Sequence, residues 1–395
     1  MNTLSSLLAL PEEKKEARGL LYTPKEIAQQ PEAWRATYER FRERHAEIRG
    51  FLQSAGASSD SIRRPTVFLI GAGTSDYVGR SLTQLLRRRW QCEVLAVPST
   101  DLLTHPDDWL VPGHSYLWIS FSRSGESPEG IAVVERALKN HPGIHHLIVS
   151  CNAQARMLRL TAGPKQVLGI SLPDAVHDRG LAMTSSFSSM VVFGQCLAHI
   201  ETLDSYRNIL DQLVEAGTNF RDLAAASAAE LANRDFTKAC FVGSGPLKAV
   251  ATESALKVLE LTAGQTQTMS ESALGLRHGP MAALDEHTLL VAFLSGDEKV
   301  RRYEMDLLEE IGKKHLVKTR AAVSPAANSR LDIHAEHVLS HMPSLTMADD
   351  YRPPLDVMFG QLLGLFFSLR RGLKPDCPSP SGAISRVVQS VLIHS

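Results

Sequence analysis

Two apolar runs feed straight into glycine-spaced turns, and each of them returns later in the chain at one separation. Val67-Phe68-Leu69-Ile70 leads into Gly71-Ala72-Gly73-Thr74-Ser75, and Cys240-Phe241-Val242 leads into Gly243-Ser244-Gly245-Pro246. Ile119-Ser120-Phe121-Ser122-Arg123-Ser124-Gly125 is echoed by Val291-Ala292-Phe293-Leu294-Ser295-Gly296, again at an offset of roughly 172 residues. Short apolar runs closed by glycine read as strands buried on both faces, and the periodic stretches between them as helices. Further strands are expected at 93–97, 116–121, 146–151 and 166–171. The alternation predicts an α/β protein with two tandem, internally duplicated units, each a doubly wound parallel sheet flanked by helices. A helical lead-in is expected over 1–50, a first α/β domain over 51–208 and a second over 209–395, the last with a tail.

Within the lead-in, Thr23-Pro24-Lys25-Glu26 has the form of a capping box. Trp34, Tyr38, Phe41, His45, Ile48 and Leu52 fall on one helical face, a stripe expected to pack on the following domain or a partner subunit rather than to hold a cofactor.

Composition removes several function classes. Lysines and arginines number 42 against 43 acidic residues, so no net charge draws the chain to nucleic acid or a membrane surface. The five cysteines are scattered with no CxxC pair, which argues against a disulfide framework and a zinc ribbon and for buried thiols in a reducing cytoplasm. The opening Met1-Asn2-Thr3 stretch lacks a positive n-region, and no membrane span is expected.

The stretch with the most chemistry is Ser122-Arg123-Ser124-Gly125-Glu126-Ser127-Pro128. Ser127 and Pro128 read as N-cap and first helical residue, so a glycine loop carrying three hydroxyls sits at a helix start, where free amides and the dipole favour an anion. Phosphate is the expected guest. In the echo, Ser295-Gly296-Asp297-Glu298 puts two acids where a phosphate would sit, so one phosphate site per chain is expected. Gly71-Ala72-Gly73-Thr74-Ser75-Asp76 has Asp76 where a dinucleotide fingerprint needs its third glycine, which disfavours NAD and ATP and leaves Thr74 and Ser75 for ligand hydroxyls. Thr184, Ser185 and Ser186, following His177-Asp178-Arg179-Gly180, form another hydroxyl-rich helix start, suited to a cap or to a ligand.

Glu253, Lys257 and Glu260 share a helical face. Glu253 with Lys257 alone would be a routine surface ion pair. Glu260 lies between Leu259 and Leu261, and Arg277-His278-Gly279-Pro280 presents one histidine, a base and an acid for C–H proton transfer and ring opening. His334-Ala335-Glu336-His337 with His341 suggests metal ligation, but the run fits a last strand with surface imidazoles better, and no metal is expected. Asp349-Asp350-Tyr351 reads as a surface loop before a long final helix over 355–371.

These motifs, in this order on a duplicated α/β chain, resemble the sugar isomerase (SIS) family, and within it the isomerase half of glucosamine-6-phosphate synthase. Thr100-Asp101-Leu102, His177-Asp178-Arg179-Gly180, Ala182-Met183-Thr184-Ser185-Ser186 and Arg386-Val387-Val388-Gln389 bring the chain closer to the AgaS-type enzymes of N-acetylgalactosamine catabolism, also described as tagatose-6-phosphate ketose/aldose isomerases. The resemblance implies that Ser122, Ser124 and Ser127 bind the sugar phosphate, with Arg123 standing where the synthase has Gln, and that Ser75 and Thr184 neighbour the sugar hydroxyls. It implies that Glu260 moves a proton between C2 and C1, that Lys257 is its structural companion, and that His278 opens the ring by reaching into the neighbouring subunit's site, hence a homodimer or higher oligomer. Gln389 stands where the synthase has a lysine, and a glutamine can hydrogen-bond but supplies no charge.

The chain opens without the cysteine nucleophile or the ammonia-producing domain of a glutamine-dependent synthase, so the expected direction is deamination, from galactosamine 6-phosphate to tagatose 6-phosphate and ammonia. No cofactor or metal is required, because charge develops on an atom held by hydroxyl and amide donors. The alternatives are a plain aldose–ketose isomerase, a glucosamine-6-phosphate deaminase, and a phosphosugar-sensing regulator. The last would need a helix-turn-helix, and the basic run Arg87-Arg88-Arg89 lies inside the first α/β unit instead.

Overall fold

The computed structural model of the chain describes residues 3–57, 64–325, 334–341, 347–388 and 391–394. In chain order they form α1 (Leu4–Leu8), α2 (Glu12–Arg18), α3 (Thr23–Ala28), α4 (Gln30–Glu43), α5 (His45–Ser54), β1 (Thr66–Gly71), α6 (Thr74–Trp90), β2 (Val94–Pro98), α7 (Ser99–Thr104), β3 (Tyr116–Ser122), α8 (Pro128–Asn140), β4 (His145–Ser150), α9 (Arg156–Arg159) and β5 (Val167–Ser171). Then come α10 (Ser185–Ala198), α11 (Leu203–Ala232), β6 (Lys238–Gly243), α12 (Pro246–Leu261), β7 (Gln267–Ser272), β8 (Thr288–Phe293), α13 (Glu298–Lys313), β9 (Thr319–Ser324), β10 (His337–Ser340) and α14 (Pro353–Arg370).

The chain divides into two compact units, each assembled from separated segments. One takes Ala33–His177, Ser185–Asn208 and Ser385–Ser395, and its five parallel strands run in the order β2-β1-β3-β4-β5. The other takes Met1–Glu32, Asp178–Thr184 and Ile209–Ile384, with five parallel strands ordered β10-β9-β8-β6-β7. Read from β7, the second order is the same as the first. This is the expected pair of helix-flanked parallel sheets. Strands β3 and β8 are buried almost end to end, as sheets covered on both faces require. The core of the first unit gathers Phe68, Tyr116, Trp118 and Val133 on one side of its sheet and Ile131, Val134, Ile148 and Met157 in a second cluster. The second unit buries Val242, Leu290 and Ala292 against Leu307, Leu308 and Ile311 of α13.

The turns that echo each other in sequence also match in geometry. A Cβ on Gly71 would stand 2.3 Å from the backbone carbon of Ser75, and one on Gly243 would stand 2.3 Å from the carbonyl oxygen of Leu247. At both positions the chain passes so close to the first helical turn that a side chain has no room.

The aromatic stripe of α4 and α5 packs within its own unit: Trp34 Nε1 donates to Ser188 Oγ at 2.9 Å, and the Phe41 ring meets Phe193 edge-on at 5.1 Å. The expected capping box does not form. Thr23 is the first helical residue rather than the cap, and its amide donates to the Asp376 carboxylate at 2.8 Å, as does that of Tyr22 at 3.1 Å. Glu26 turns instead to the amides of Arg179 and Gly180. The cap thus comes from 353 residues away, beyond any local pattern.

Glu26 is buried, and that burial, reinforced by the carboxylate of Asp178, pushes its pKa up to about 8 from an ordinary 4.5. Between these values the unfolded chain is ionised while the folded one keeps its proton, so stability from this group is complete below pH 4.5 and lost as pH rises toward 8. Glu26→Gln keeps an acceptor for the two amides and removes the titration. Its thermal midpoint is expected to gain on the parent's steadily from pH 5 to pH 8, as melting curves at a series of pH values would measure.

Candidate functional site

The sequence-predicted residues fall into two groups. Ser75, Ser122, Arg123, Ser124 and Ser127 belong to the first unit, and Thr184, Lys257, Glu260 and His278 to the second. Gln389 lies outside the described residues.

In the first unit, β1 and β3 are neighbours whose chains leave in opposite directions along the sheet, the switch point at which open α/β sheets bind ligands. Two turns line it. After β1, Ser75 is buried in the first turn of α6. After β3, Ser122 Oγ accepts the Gly125 amide at 2.9 Å and Ser124 Oγ accepts the Glu126 amide at 3.2 Å. A hydroxyl that accepts from its own loop still has its proton to donate, so both serines are oriented as donors. Ser127 is the N-cap of α8 as expected, yet its hydroxyl makes no capping bond to that helix. Gly125 has φ +62°, and a Cβ there would stand 2.4 Å from that of Ala155, so the bend that brings the serines together needs glycine. Arg123 is buried, and its guanidinium donates to the carbonyl of Arg386 in the tail segment of the same unit.

In the second unit, α12 carries Glu253, Lys257 and Glu260 on one face, but the first pair is no surface pair. Both side chains are fully buried, with Lys257 Nζ 3.3 Å from Glu253 Oε1 and 2.5 Å from Glu260 Oε2, whereas Glu260 is 23% exposed. The periodicity was visible in sequence; the burial comes from α14, which crosses α12 so closely that a Cβ on Gly360 would stand 2.2 Å from Ser254 Oγ and one on Gly364 2.9 Å from the Lys257 carbonyl. Sequence reasoning missed these glycines, although their four-residue spacing was the available signal. It also missed Gln361, which donates to the Thr184 carbonyl at 3.3 Å and accepts from Gln30 at 2.8 Å. Thr184 is fully buried, and its amide donates to Asp178 at 2.7 Å. His278 closes a short turn over Gly275–Arg277 after β7 and is exposed. Its imidazole makes no hydrogen bond among the described residues, while the neighbouring Arg277 is paired with Glu310 at 2.7 Å.

The readings of the 336–341 strand as bearing surface imidazoles and of Asp349-Asp350-Tyr351 as a surface loop are corrected. The strand is there as β10, but His341 is fully buried with Nε2 2.7 Å from Asp356 Oδ1, and Asp349-Asp350-Tyr351 is no surface loop: Asp350 is buried and the adjoining Arg352 wholly so, within 2.7 Å of Asp349 and Asp356. Burial alone would raise the Asp356 carboxyl; the Arg352 guanidinium beside it brings it below its ordinary value. Among the described residues no group of three or more His, Cys, Asp or Glu is placed to hold a metal ion, and no helix is long and apolar enough to cross a membrane. All five cysteines are free thiols, three of them buried.

No protein-family model matches the chain. AgaS of Streptomyces coelicolor is 38% identical over 380 residues, covering 95% of this chain and 96% of that protein. The D-galactosamine-6-phosphate deaminase AgaS of Escherichia coli O157:H7 is 35% identical over 377 residues, 94% of this chain and 95% of its own length. The chain belongs to the AgaS family of sugar isomerase (SIS) proteins. Among solved structures, the tagatose-6-phosphate ketose/aldose isomerase of Escherichia coli overlays this AgaS-family chain with a TM-score of 0.82 at 30% identity, covering 94% of this chain and 96% of that one.

The buried lysine makes the α12 row testable without reference to any reaction. Lys257→Met leaves Glu253 in the core without its cation, and is expected to cost about 3 kcal/mol. Adding Glu253→Gln should return part of that loss, a coupling that denaturant unfolding of the two single variants and the double variant would reveal.

Proposed function

We propose that this AgaS-family chain deaminates and isomerises an aminosugar phosphate, converting D-galactosamine 6-phosphate to D-tagatose 6-phosphate and ammonia. The observation that carries this reading is the likeness, along 94% of the chain, to an Escherichia coli enzyme named for D-galactosamine-6-phosphate deamination. The side chains supply a chemistry for it.

The hydroxyls of Ser122, Ser124 and Ser127, with the first amides of α8, hold the phosphate, and Arg123 ties that loop to the tail. Ser75 and Thr184 meet sugar hydroxyls. His278 moves a proton at the ring oxygen and opens the ring to the aldehyde. Glu260 takes the C2 proton, giving an enolamine, and returns it to C1, which leaves an imine at C2. Water adds to that imine, ammonia departs, and the C2 ketone remains. Lys257 positions the base: its ammonium, fixed from behind by Glu253, holds one carboxylate oxygen of Glu260 and orients the other. The exposed imidazole of His278 supports a homodimer in which it serves the neighbouring subunit's site, and the five free cysteines support a cytoplasmic location. The matching strand orders of the two sheets support a tandem duplication.

A plain aldose–ketose isomerase is the second reading, favoured by the name of the Escherichia coli structure that overlays the chain. The purified protein, given galactosamine 6-phosphate, is expected to release one ammonia for each ketose formed; ketose without ammonia would support the isomerase instead. Glu260→Gln should lower kcat by about 10²–10⁴-fold with the fold intact, and glucosamine 6-phosphate assayed in parallel would measure the preference at C4.

A further inference from the structure

The loop after β8 holds, in its own sheet, the place that the serine loop holds after β3, yet its donors are already taken. The Ser295 hydroxyl donates to Asp349 Oδ2, and the Gly296 amide donates to Asp349 Oδ1 at 2.8 Å. The wholly buried guanidinium of Arg352 donates to that same Oδ1 at 2.7 Å and to the Leu294 carbonyl at 2.8 Å. Asp297, which by sequence stood where a phosphate would sit, is instead the N-cap of α13, accepting from the amides of Lys299 at 2.8 Å and Val300 at 3.3 Å. The Ser295 amide is likewise occupied, by Glu304 at 2.7 Å.

A hydroxyl, a backbone amide at a helix start and a guanidinium converging on one pair of oxygens is the donor set that binds a phosphate or carboxylate ligand. Here the oxygens belong to the chain. Arg352 does not need Asp349 for neutrality, because Asp356 lies 2.7 Å from its other terminal nitrogen. Of the loop donors, the Ser295 hydroxyl and the Gly296 amide both go to Asp349, while the Ser295 amide goes to Glu304.

We propose that the loop after β8 is a second oxyanion site that the Asp349 side chain occupies as a built-in surrogate anion. The plug keeps this unit from taking up free phosphate, and the inference holds whatever reaction the chain catalyses.

Asp349→Ala opens the site while leaving Ser295, Gly296 and Arg352 in place. In equilibrium dialysis against inorganic phosphate, the full-length variant is expected to bind one equivalent more per chain than the parent, and formate should raise the variant's thermal midpoint but not the parent's. Because the readout is the difference between variant and parent, a failure of the deaminase reading leaves it untouched. A folded Asp349→Ala chain with no extra phosphate and no response to formate overturns the proposal. If the variant does not fold alone, refolding is repeated with phosphate or formate present. Recovery of folded protein supports the plug, and no recovery with either anion overturns it.

Discussion

A lysine ammonium with no solvent around it is costly, and in the second unit Lys257 is such a group. Removing an ion from water costs several kcal/mol even after the protein relaxes, and it is tolerated only where well-placed opposite charges compensate. Glu253 and Glu260 do so unequally, one fully buried and one reaching solvent. The asymmetry turns a stability device into a positioning device: the buried acid anchors the lysine, and the lysine aims the exposed acid. The arrangement in turn depends on α14 approaching α12 closely enough to shut out water, which Gly360 and Gly364 permit. Backbone packing and the orientation of the candidate base are therefore one constraint.

The two sheets use one topology to different ends. At the switch point of the first, the Ser122 and Ser124 hydroxyls accept amides of their own loop and keep their protons to donate. At the equivalent loop of the second, a carboxylate and a buried guanidinium fill the space. The same strand–turn–helix geometry thus serves, in the function proposed above, a ligand's charge in one unit and holds the chain's own in the other.

Most of the fold was legible because parallel strands covered on both faces leave continuous apolar runs, and because the strand–glycine–helix turns announce themselves twice. The serine loop and the acid–lysine–acid row were legible for a related reason: each is local, spelled out within eight or ten residues. What escaped was non-local. Thr23-Pro24-Lys25-Glu26 looks like a cap, but Asp376 supplies the cap and Glu26 answers amides near residue 180. Asp349 to Arg352 look like solvated surface because they are charged, yet their charges satisfy one another and His341 in the interior. Pattern reading prices each residue by its own polarity, whereas burial depends on the partner it meets.

The segmental make-up of the second unit bears on how the chain is born. Its first segment, Met1–Glu32, belongs with strands that begin only after Ile209, and the helix it opens is capped from Asp376. On the ribosome these residues emerge well before the strands of their own unit, and the carboxylate that caps the helix comes 353 residues later. The β1–β5 sheet, by contrast, has all its strands in hand by Ser171. Synthesis from N- to C-terminus thus leaves these helices waiting as nascent chain, exposed to chaperones and proteases after the β1–β5 sheet has all its strands.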